Sequence, residues 1–377
     1  MRIAIVSQPY YPQNGGVSEH VHHTALELRR LGHEVDVVTS RFRNDSESCD
    51  GLLRVGCNML VPMLGAFANV NAGPQLRGEI SRVFRRDYDV IHVHEPLSPT
   101  LPLVALEEAP SGAVVVGTFH ASSSRGVGYR VFRRFLRRYA RRLDARVAVS
   151  QAARRFVARH FDDEYEIIPN GVDSTRFHPR VEPLLEWDAS RPTLLFVGRF
   201  YRRKGVPVLL DALPRIAREI PDVRLLVVGG GPLGPWYRQL ASHAPCEVRF
   251  LGELSREDIS RAYRTANVLV VPSTGSESFG IVHLEAMASG IPIVASDIEG
   301  YREILAPGRE ALLFPNRDAN ALADSVLRVL RCPELARSMG AAGREKAARY
   351  SWTDIARRLE ALFLARLDRK QRIRLAS

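Results

Sequence analysis

The chain has 377 residues, more than one ordinary hydrophobic core accommodates, so two domains are expected. Apolar residues make up 45% and charged residues 25% of the sequence, as in a globular protein, and no run of about 18 apolar residues predicts a membrane-spanning helix. The net charge of +11 indicates partners that carry phosphate: nucleic acid, anionic lipid or nucleotides.

The cysteines and the first residues indicate the compartment. The cysteines have neither CxxC nor zinc-finger spacing, which predicts a reducing cytoplasm, no disulfide framework and no structural zinc; they are Cys49, Cys57, Cys246 and Cys332. The first apolar stretch is short and reaches Gln8 and Pro9 at once, which is typical of a first strand and not of a signal peptide.

Strands and helices are predicted to alternate along the chain. In the first half we expect a helix over 17–31, closed by Gly32, and strands at 3–7, 34–39, 90–94, 113–118, 145–150 and 166–168. In the second half we expect helices over 206–219, 255–265 and 319–330, and strands at 193–197, 224–228, 248–250, 268–271 and 293–295. This alternation predicts an α/β protein with parallel sheets covered on both faces, with a hinge near 169–173.

Residues 275–296 contain two carboxylates eight positions apart, Glu277 and Glu285. A helix is predicted from 279 or 280 to Gly290, so Glu277 lies in the loop before it and Glu285 in its second turn. The free backbone N–H groups of the helix start form an anion site. This arrangement suits a sugar nucleotide, with one glutamate on the sugar, the amides on the diphosphate and the other glutamate on the ribose. The alternative is an amphipathic helix with two solvated glutamates.

Three further segments have the composition of a phosphate site. Gly15 and Gly16 open a helix and allow backbone amides to approach a ligand closely, unless they form an ordinary turn. Arg199 follows a predicted strand and Lys204 begins a helix, so both side chains can reach one diphosphate; the alternative is a basic surface loop. Residues 229–231 are a glycine triplet after another strand, which permits close approach to a nucleotide or forms a flexible turn.

The segment from Gly275 to Pro292 resembles the Glu-x7-Glu signature of retaining glycosyltransferases of family 4, as do Gly15-Gly16-Val17 and the Gly198-Arg199 and Lys204-Gly205 pairs. The resemblance implies the GT-B fold, in which two Rossmann-like domains with parallel sheets face each other across a cleft. Residues 1–170 would bind the acceptor, residues 171–351 would bind the nucleotide-sugar donor, and a C-terminal helix over 352–377 would cross back to the first domain.

The same resemblance assigns the site residues. His120, at the end of a predicted strand, would lie near the transferred sugar, whereas in isolation a lone histidine is more often a buried core residue. The implied catalytic residues are His120, Arg199, Lys204 and Glu277. The implied donor-binding residues are Gly15, Gly16, Arg199, Lys204, Gly230, Leu251, Glu253, Glu277, Ser278, Phe279, Gly280, Ile281 and Glu285. No metal and no cofactor are expected, because the leaving diphosphate is thought to take the acceptor's proton.

Residues 129–146 are predicted to form one basic amphipathic helix. Its apolar face consists of Phe132, Phe135, Leu136, Tyr139, Ala140 and Leu143, and arginines fill the other face. Such a helix favours an anionic membrane surface, although a packed domain helix with solvated arginines has the same pattern. The expected membrane or acceptor residues are Arg77, Arg82, Arg85, Arg86, Arg133, Arg134, Arg137 and Tyr10.

Three segments narrow the resemblance to the bacterial phosphatidylinositol mannosyltransferases, namely 92–96, 118–122 and 146–150. This implies GDP-mannose as donor, a lipid acceptor and a cytoplasmic protein that binds the inner face of the cell membrane. Leu97 and Ser18 depart from that subfamily near the acceptor pocket. A UDP-sugar with a soluble acceptor therefore stays an alternative. The net charge alone would also allow a nucleic-acid-binding protein, for which no motif is present.

Overall fold

The computed structural model describes residues 1–42, 50–63, 66–121, 126–184 and 191–376, with backbone alone at 60–63, 66–70, 72 and 376. The chain forms two compact units, the first made of Met1–Asn170 with Trp352–Ser377 and the second of Gly171–Ser351. The strands are β1 Arg2–Ser7, β2 Glu34–Ser40, β3 Leu52–Val55, β4 Cys57–Met63, β5 Ala66–Ala72, β6 Val90–His94, β7 Val114–Phe119, β8 Ala145–Ala148, β9 Glu166–Ile167, β10 Thr193–Val197, β11 Arg224–Val228, β12 Glu247–Gly252, β13 Val268–Val271, β14 Ile293–Ser296 and β15 Ala311–Phe314.

Helices connect most of these strands. They are α1 Gly16–Arg30, α2 Leu76–Phe84, α3 Leu101–Glu108, α4 Val127–Val131, α5 Arg133–Ala140, α6 Gln151–Ala158, α7 Val206–Glu219, α8 Gly234–Ala241, α9 Arg256–Thr265, α10 Ile281–Ser289, α11 Glu299–Arg302, α12 Ala319–Arg331, α13 Pro333–Ala347 and α14 Trp352–Ala376. In the described part of the chain, no helix is long and apolar enough to cross a membrane.

The first unit is a seven-stranded parallel sheet in the order β3-β2-β1-β6-β7-β8-β9, with β4 and β5 as a separate antiparallel pair. Its central strands β1, β6 and β7 are buried on both faces, which explains why they read as continuous apolar runs. Side chains of α1 and α14 cover one face, and side chains of α2, α3 and α5 cover the other. The carboxyl ends of β1, β6 and β7 therefore meet at one edge, where ligands bind in open parallel sheets.

The second unit is a six-stranded parallel sheet in the order β12-β11-β10-β13-β14-β15. Helices α7 and α12 pack on one face, and α9 and α10 on the other. The predicted α/β architecture of two parallel sheets is confirmed, and the predicted bounds of β6, β10, β11, β13 and α7 are the observed ones.

The prediction of one helix over 129–146 is wrong. The helix is interrupted at Phe132, so that α4 and α5 are separate, and α5 ends at Ala140. The following turn is fixed by Asp144, whose carboxylate accepts the backbone N–H of Val115 at 2.8 Å. The apolar pattern persists past Ala140 because Leu143 packs in the same core from this turn.

Candidate active site

The loop before α10 has the predicted arrangement. Helix α10 begins after Gly280, whose φ of +85° is left-handed, and it ends at Gly290 with a φ of +75°. Glu277 lies in the loop and Glu285 in the second turn of the helix. Phe279 is buried in the core and anchors the loop. The first amides of α10 have no partner within the helix, so the loop and helix start combine N–H donors with a carboxylate.

Glu277 forms ion pairs with two basic side chains. Its side chain is only 8% exposed and lies 2.9 Å from Nζ of Lys204, and the guanidinium of Arg203 also pairs with it. Arg203 donates a second hydrogen bond to the carbonyl of Ser276 at 3.3 Å. The sequence predicts Lys204 for this site but does not assign Arg203. The only sequence signal for Arg203 is the run of basic residues before Lys204.

The turn that carries Lys204 is locked to the end of β13. Gly205 has a φ of +69°, and a Cβ at this position would lie 1.8 Å from the carbonyl oxygen of Pro272. The amide of Thr274 donates to the carbonyl of Arg203 at 2.7 Å. Only glycine fits position 205, so the cations reach Glu277 from a fixed backbone.

Glycines pack together at the carboxyl ends of β10, β11 and β12. A Cβ on Gly229 would lie 2.1 Å from the carbonyl oxygen of Gly198, and the Gly229 amide donates to the carbonyl of Gly252 at 2.7 Å. A Cβ on Gly230 would lie 3.1 Å from a carboxylate oxygen of Glu253. The predicted donor residues Arg199, Gly230, Leu251 and Glu253 thus lie at the ligand-binding edge of this sheet.

A second layer supports the Glu277 loop from behind. A Cβ on Gly300 would lie 2.0 Å from the carbonyl oxygen of Glu277. Tyr301, the next residue, donates to the hydroxyl of Ser273 at 2.8 Å and packs edge-on against His283, with ring centroids 4.3 Å apart. His283 is buried, neither ring nitrogen has a partner among the described residues, and burial lowers its pKa to about 3, aided by the charge of Lys204.

Tyr263 positions the carboxylate of Glu285. Glu285 is 8% exposed, and its carboxylate accepts the hydroxyl of Tyr263 at 2.6 Å. Burial raises the pKa of Tyr263 well above its ordinary value, and the negative charge of Glu285 adds to this effect. Tyr263 therefore stays protonated at neutral pH and donates this hydrogen bond. This contact joins α9 to α10, and no local pattern in the sequence predicts it.

His120 lies in the first unit, in the residue after β7, and is buried. Its Nε2 is 2.8 Å from Nδ1 of His94, and its ring packs edge-on against His20. Burial lowers the pKa of both His120 and His94 well below 6.5, so both imidazoles are neutral at pH 7. From the sequence, His120 is considered without any neighbouring histidine. The alternation of His92 and His94 on another strand is the signal that could have predicted a histidine cluster.

Glu95 fixes the backbone of His120. Its half-buried carboxylate accepts the N–H of His120 at 2.6 Å and that of Ala121 at 2.7 Å. Burial raises the pKa of Glu95, and the two backbone hydrogen bonds act in the opposite direction. Glu95 also has a left-handed φ of +48°, an uncommon conformation for a residue with a side chain. The end of β7 is therefore held by a glutamate that the sequence analysis did not assign.

Three imidazoles have the spacing of a metal site. The ligand atoms of His20, His94 and His120 all lie within 4.8 Å of one another in the described part of the chain. His20 is held by Asn170 at 2.8 Å, and two of the three rings are already hydrogen-bonded to each other. Imidazoles suit zinc and other transition metals. The expectation of a metal-free reaction stays a prediction.

The glycine loop and Tyr10 lie at the carboxyl end of β1. Gly15 precedes α1 and a Cβ there would meet open space, which leaves room for a ligand at the start of the helix that Gly16 begins. Tyr10 is buried, and its hydroxyl is 3.1 Å from Nδ1 of His22. The ring of Tyr10 packs in the core cluster that α1 covers, unlike the exposed arginines with which it was grouped, and its assignment to the acceptor stays a prediction.

The predicted basic residues divide into paired and unpaired ones. Arg77 pairs with Glu107 and Glu108, Arg86 with Asp36, and Arg133 donates to the carbonyl of His160 at 2.9 Å. By contrast, Arg82, Arg85, Arg134 and Arg137 are exposed and form no hydrogen bond or ion pair with any described residue. Four residues of the predicted apolar face, Leu136, Tyr139, Ala140 and Leu143, lie in the core.

Comparisons with known proteins cover both units. The family model for glycosyl transferases group 1 matches residues 182–346, and the model for Glycosyltransferase Family 4 matches residues 14–176. A phosphatidyl-myo-inositol mannosyltransferase of Mycolicibacterium smegmatis is 35% identical over 366 residues, which are 96% of this chain and 93% of that relative.

Solved structures match over nearly the full length. A sucrose-phosphate synthase from Thermosynechococcus elongatus is 25% identical with a TM-score of 0.76, over 100% of both chains. The HepE protein of Anabaena, solved with UDP-glucose, is 19% identical with a TM-score of 0.76, over 97% of this chain and 100% of the other. Together with the two parallel sheets, these matches confirm the expected GT-B fold.

Proposed function

Because this chain belongs to glycosyltransferase family 4 and is a hexosyl-transferring enzyme, we propose that it transfers mannose from GDP-mannose to the inositol headgroup of phosphatidylinositol, with retention of configuration. The observation that carries the proposal is the 35% identity, across 96% of the chain, to an enzyme named for that acceptor and that sugar. The donor class is also supported by a structural relative that was solved with a nucleotide sugar.

The donor would bind in the second unit by an exchange of ion pairs. Without donor, Lys204 and Arg203 both pair with Glu277, which leaves the group with a net positive charge. A diphosphate carries more negative charge than one carboxylate and would draw both cations toward its oxygens. Glu277 would then accept hydrogen bonds from sugar hydroxyls, while the amides at the start of α10 face the phosphate.

The reaction breaks the bond between the anomeric carbon and the β-phosphate oxygen and forms one from that carbon to the acceptor oxygen. The acceptor hydroxyl gives its proton to the departing diphosphate on the same face, so no side chain has to act as base. Negative charge develops on the β-phosphate, where Arg199, Lys204 and the helix amides would stabilise it. Each such donor contributes about 2.7–4 kcal/mol to lowering the barrier.

His120 would hold the sugar from the first unit. Burial keeps its imidazole neutral at pH 7, so it does not add positive charge next to the developing oxocarbenium-like carbon. Its backbone is fixed by the Glu95 carboxylate, which accepts the N–H groups of His120 and Ala121. We assign His120 a positioning and electrostatic role and not that of a general acid or base.

The lipid acceptor would place the protein on the inner face of the cell membrane as a peripheral enzyme, with no metal required. The test is transfer from a panel of GDP-, UDP- and ADP-sugars to vesicles of phosphatidylcholine with or without phosphatidylinositol, and to a soluble inositol phosphate, each with and without EDTA. We expect GDP-mannose to react only when phosphatidylinositol is present. Preference for a UDP-sugar together with a soluble inositol phosphate would contradict the acceptor assignment while leaving the fold and mechanism intact.

A further inference from the structure

His20, on α1, contacts the last residue of the first unit before the chain crosses to the second and the first residue after it returns. The crossing follows Asn170, and the return is at Trp352. Nδ1 of His20 lies 2.8 Å from Oδ1 of Asn170. The ring of Trp352 packs edge-on against the imidazole of His20, with centroids 5.3 Å apart, and stacks on His23, three residues further along α1. One helix of the first unit therefore holds both points at which the chain crosses.

The two crossing segments are paired with each other at the start and the end of the second unit. The backbone N–H of Val172 donates to the carbonyl of Tyr350 at 2.8 Å, and Val172 forms a parallel bridge with Ser351. Only Gly171 separates this pairing from Asn170. Hinges absorb their change of φ and ψ in a few residues at the ends of elements. A rotation at the expected hinge therefore has few backbone bonds available, all of them next to the two residues that α1 holds.

His20 also packs against the histidines at the carboxyl edge of the sheet. Its ring is edge-on to that of His120, with centroids 4.9 Å apart, and to that of His94 at 5.2 Å. All three histidines are buried. Close-packed interiors transmit the displacement of one side chain to its neighbours. A shift of Asn170 or Trp352 would therefore reach His120 through a single imidazole.

Asn170 selects one tautomer of the His20 ring. Because the amide oxygen of Asn170 accepts the hydrogen bond, Nδ1 of His20 carries the proton and Nε2 does not. Nε2 is buried and has no hydrogen-bond partner among the described residues. Burial lowers the pKa of His20 to about 4, although the hydrogen bond with Asn170 acts in the opposite direction. The ring is therefore neutral at pH 7, and its polar link to the chain crossing is the one bond to Asn170.

We propose that His20 is a positioning residue for glycosyl transfer. Through it, the two residues at the chain crossings and the ring of His120 are held in one arrangement. This rests on the proposed function, in which His120 holds the transferred sugar, and it adds a residue that acts on His120 from behind. His20 affects the rate of transfer and not the affinity for the donor, because Glu277 and Lys204, assigned to the donor, lie in the second unit. A purely structural residue would affect stability alone.

A double-mutant cycle between His20 and Asn170 separates the two roles. His20→Phe leaves the amide oxygen of Asn170 unpaired, and Asn170→Leu leaves the Nδ1–H of His20 unpaired, so each change should lower Tm. The double variant has neither unpaired group, and its Tm should recover most of the loss. By contrast, kcat for mannose transfer from GDP-mannose to phosphatidylinositol vesicles should stay about tenfold or more below the wild type in all three variants, because misplaced groups lower rates by up to about 10²-fold.

His33→Phe is the matched control. It removes a hydrogen bond of similar length within the same unit, 2.7 Å from Nε2 of His33 to a carboxylate oxygen of Glu360 on α14. It should lower Tm and leave kcat at the wild-type value when the rate is measured well below Tm. Binding of GDP-mannose, measured by calorimetry, should equal that of the wild type in every variant, which shows that the second unit is folded.

Wild-type kcat in the double variant would overturn the proposal and leave His20 a structural residue. An equal loss of kcat in His33→Phe would do the same, because any weakened contact of the first unit would then lower the rate. If the wild type uses another nucleotide sugar or another acceptor, the proposed function falls. The ratio of variant to wild-type kcat with that substrate pair then still decides the role of His20.

Discussion

Gly300 gives a test of whether the position of the Glu277 loop controls the reaction. A Cβ at position 300 would lie 2.0 Å from the carbonyl oxygen of Glu277, 2.9 Å from its carbonyl carbon and 3.4 Å from that of Ser278, and Cβ atoms essentially never approach closer than 3.0 Å. The Glu277 backbone must therefore move by about 1 Å in Gly300→Ala, and a displacement of this size near a reacting group lowers rates about 10²-fold.

The effect should be on activity more than on stability. Gly300 lies in the short helix α11, where alanine gains up to about 1 kcal/mol over glycine and offsets part of the strain. We expect kcat/KM for donor hydrolysis and for transfer to fall about 10²-fold, with a Tm close to that of the wild type.

Gly234→Ala is the matched control, because its Cβ would meet only the flexible end of Arg238 at 3.3 Å and the edge of Phe200 at 3.4 Å. A Gly300→Ala enzyme with wild-type kcat/KM would refute the assignment of the Glu277 loop to the donor.

Three further outcomes are expected. Lys204→Met should lower kcat/KM about 10²–10³-fold while Tm stays within a few degrees, and wild-type turnover would remove Lys204 from the phosphate site. His283→Leu loses no hydrogen bond to a described residue, and because burial lowers the pKa of His283 to about 3 while the unfolded value is near 6.5, the wild type loses stability as pH falls below 6.5. Between pH 7 and pH 5 the free energy of unfolding of His283→Leu should therefore fall by about 2 kcal/mol less than that of the wild type, as measured by urea titration, and equal losses would contradict the buried neutral state. EDTA should leave transfer unchanged and metal analysis of the purified protein should find no bound ion; loss of activity that zinc restores would instead assign a metal to His20, His94 and His120.

The sequence predicts the positions of the strands more accurately than it predicts which side chains of the helices are exposed. Fully buried parallel strands are short apolar runs bounded by glycine or polar residues, so β6, β10, β11 and β13 could be placed to the residue. The break between α4 and α5 at Phe132 could not be predicted, because apolar residues continue at helical spacing on both sides of it. Which apolar side chains of α4 and α5 are buried depends on the neighbouring α3, whose position along the sheet no local pattern records.

Within the candidate site, residues that share a continuous segment could be predicted and contacts between distant segments could not. The loop position of Glu277 and the second-turn position of Glu285 followed from one helix start and its C-terminal glycine. The pairing of Arg203 with Glu277 and the bond from Tyr263 to Glu285 join residues 74 and 22 positions apart. His94 and His120 meet because their parallel strands are neighbours in the sheet, an order that the sequence alone does not give.

The decisive experiment on Glu277 measures the rate of mannose transfer from GDP-mannose to phosphatidylinositol vesicles by Glu277→Gln. This change keeps the size of the side chain but removes the charge that holds Lys204 and Arg203. Glu219→Gln, at a surface glutamate that pairs with Arg331, is the control. We predict that Glu277→Gln lowers kcat/KM by about 10² or more while the control behaves as the wild type. Undiminished transfer by Glu277→Gln would contradict the account.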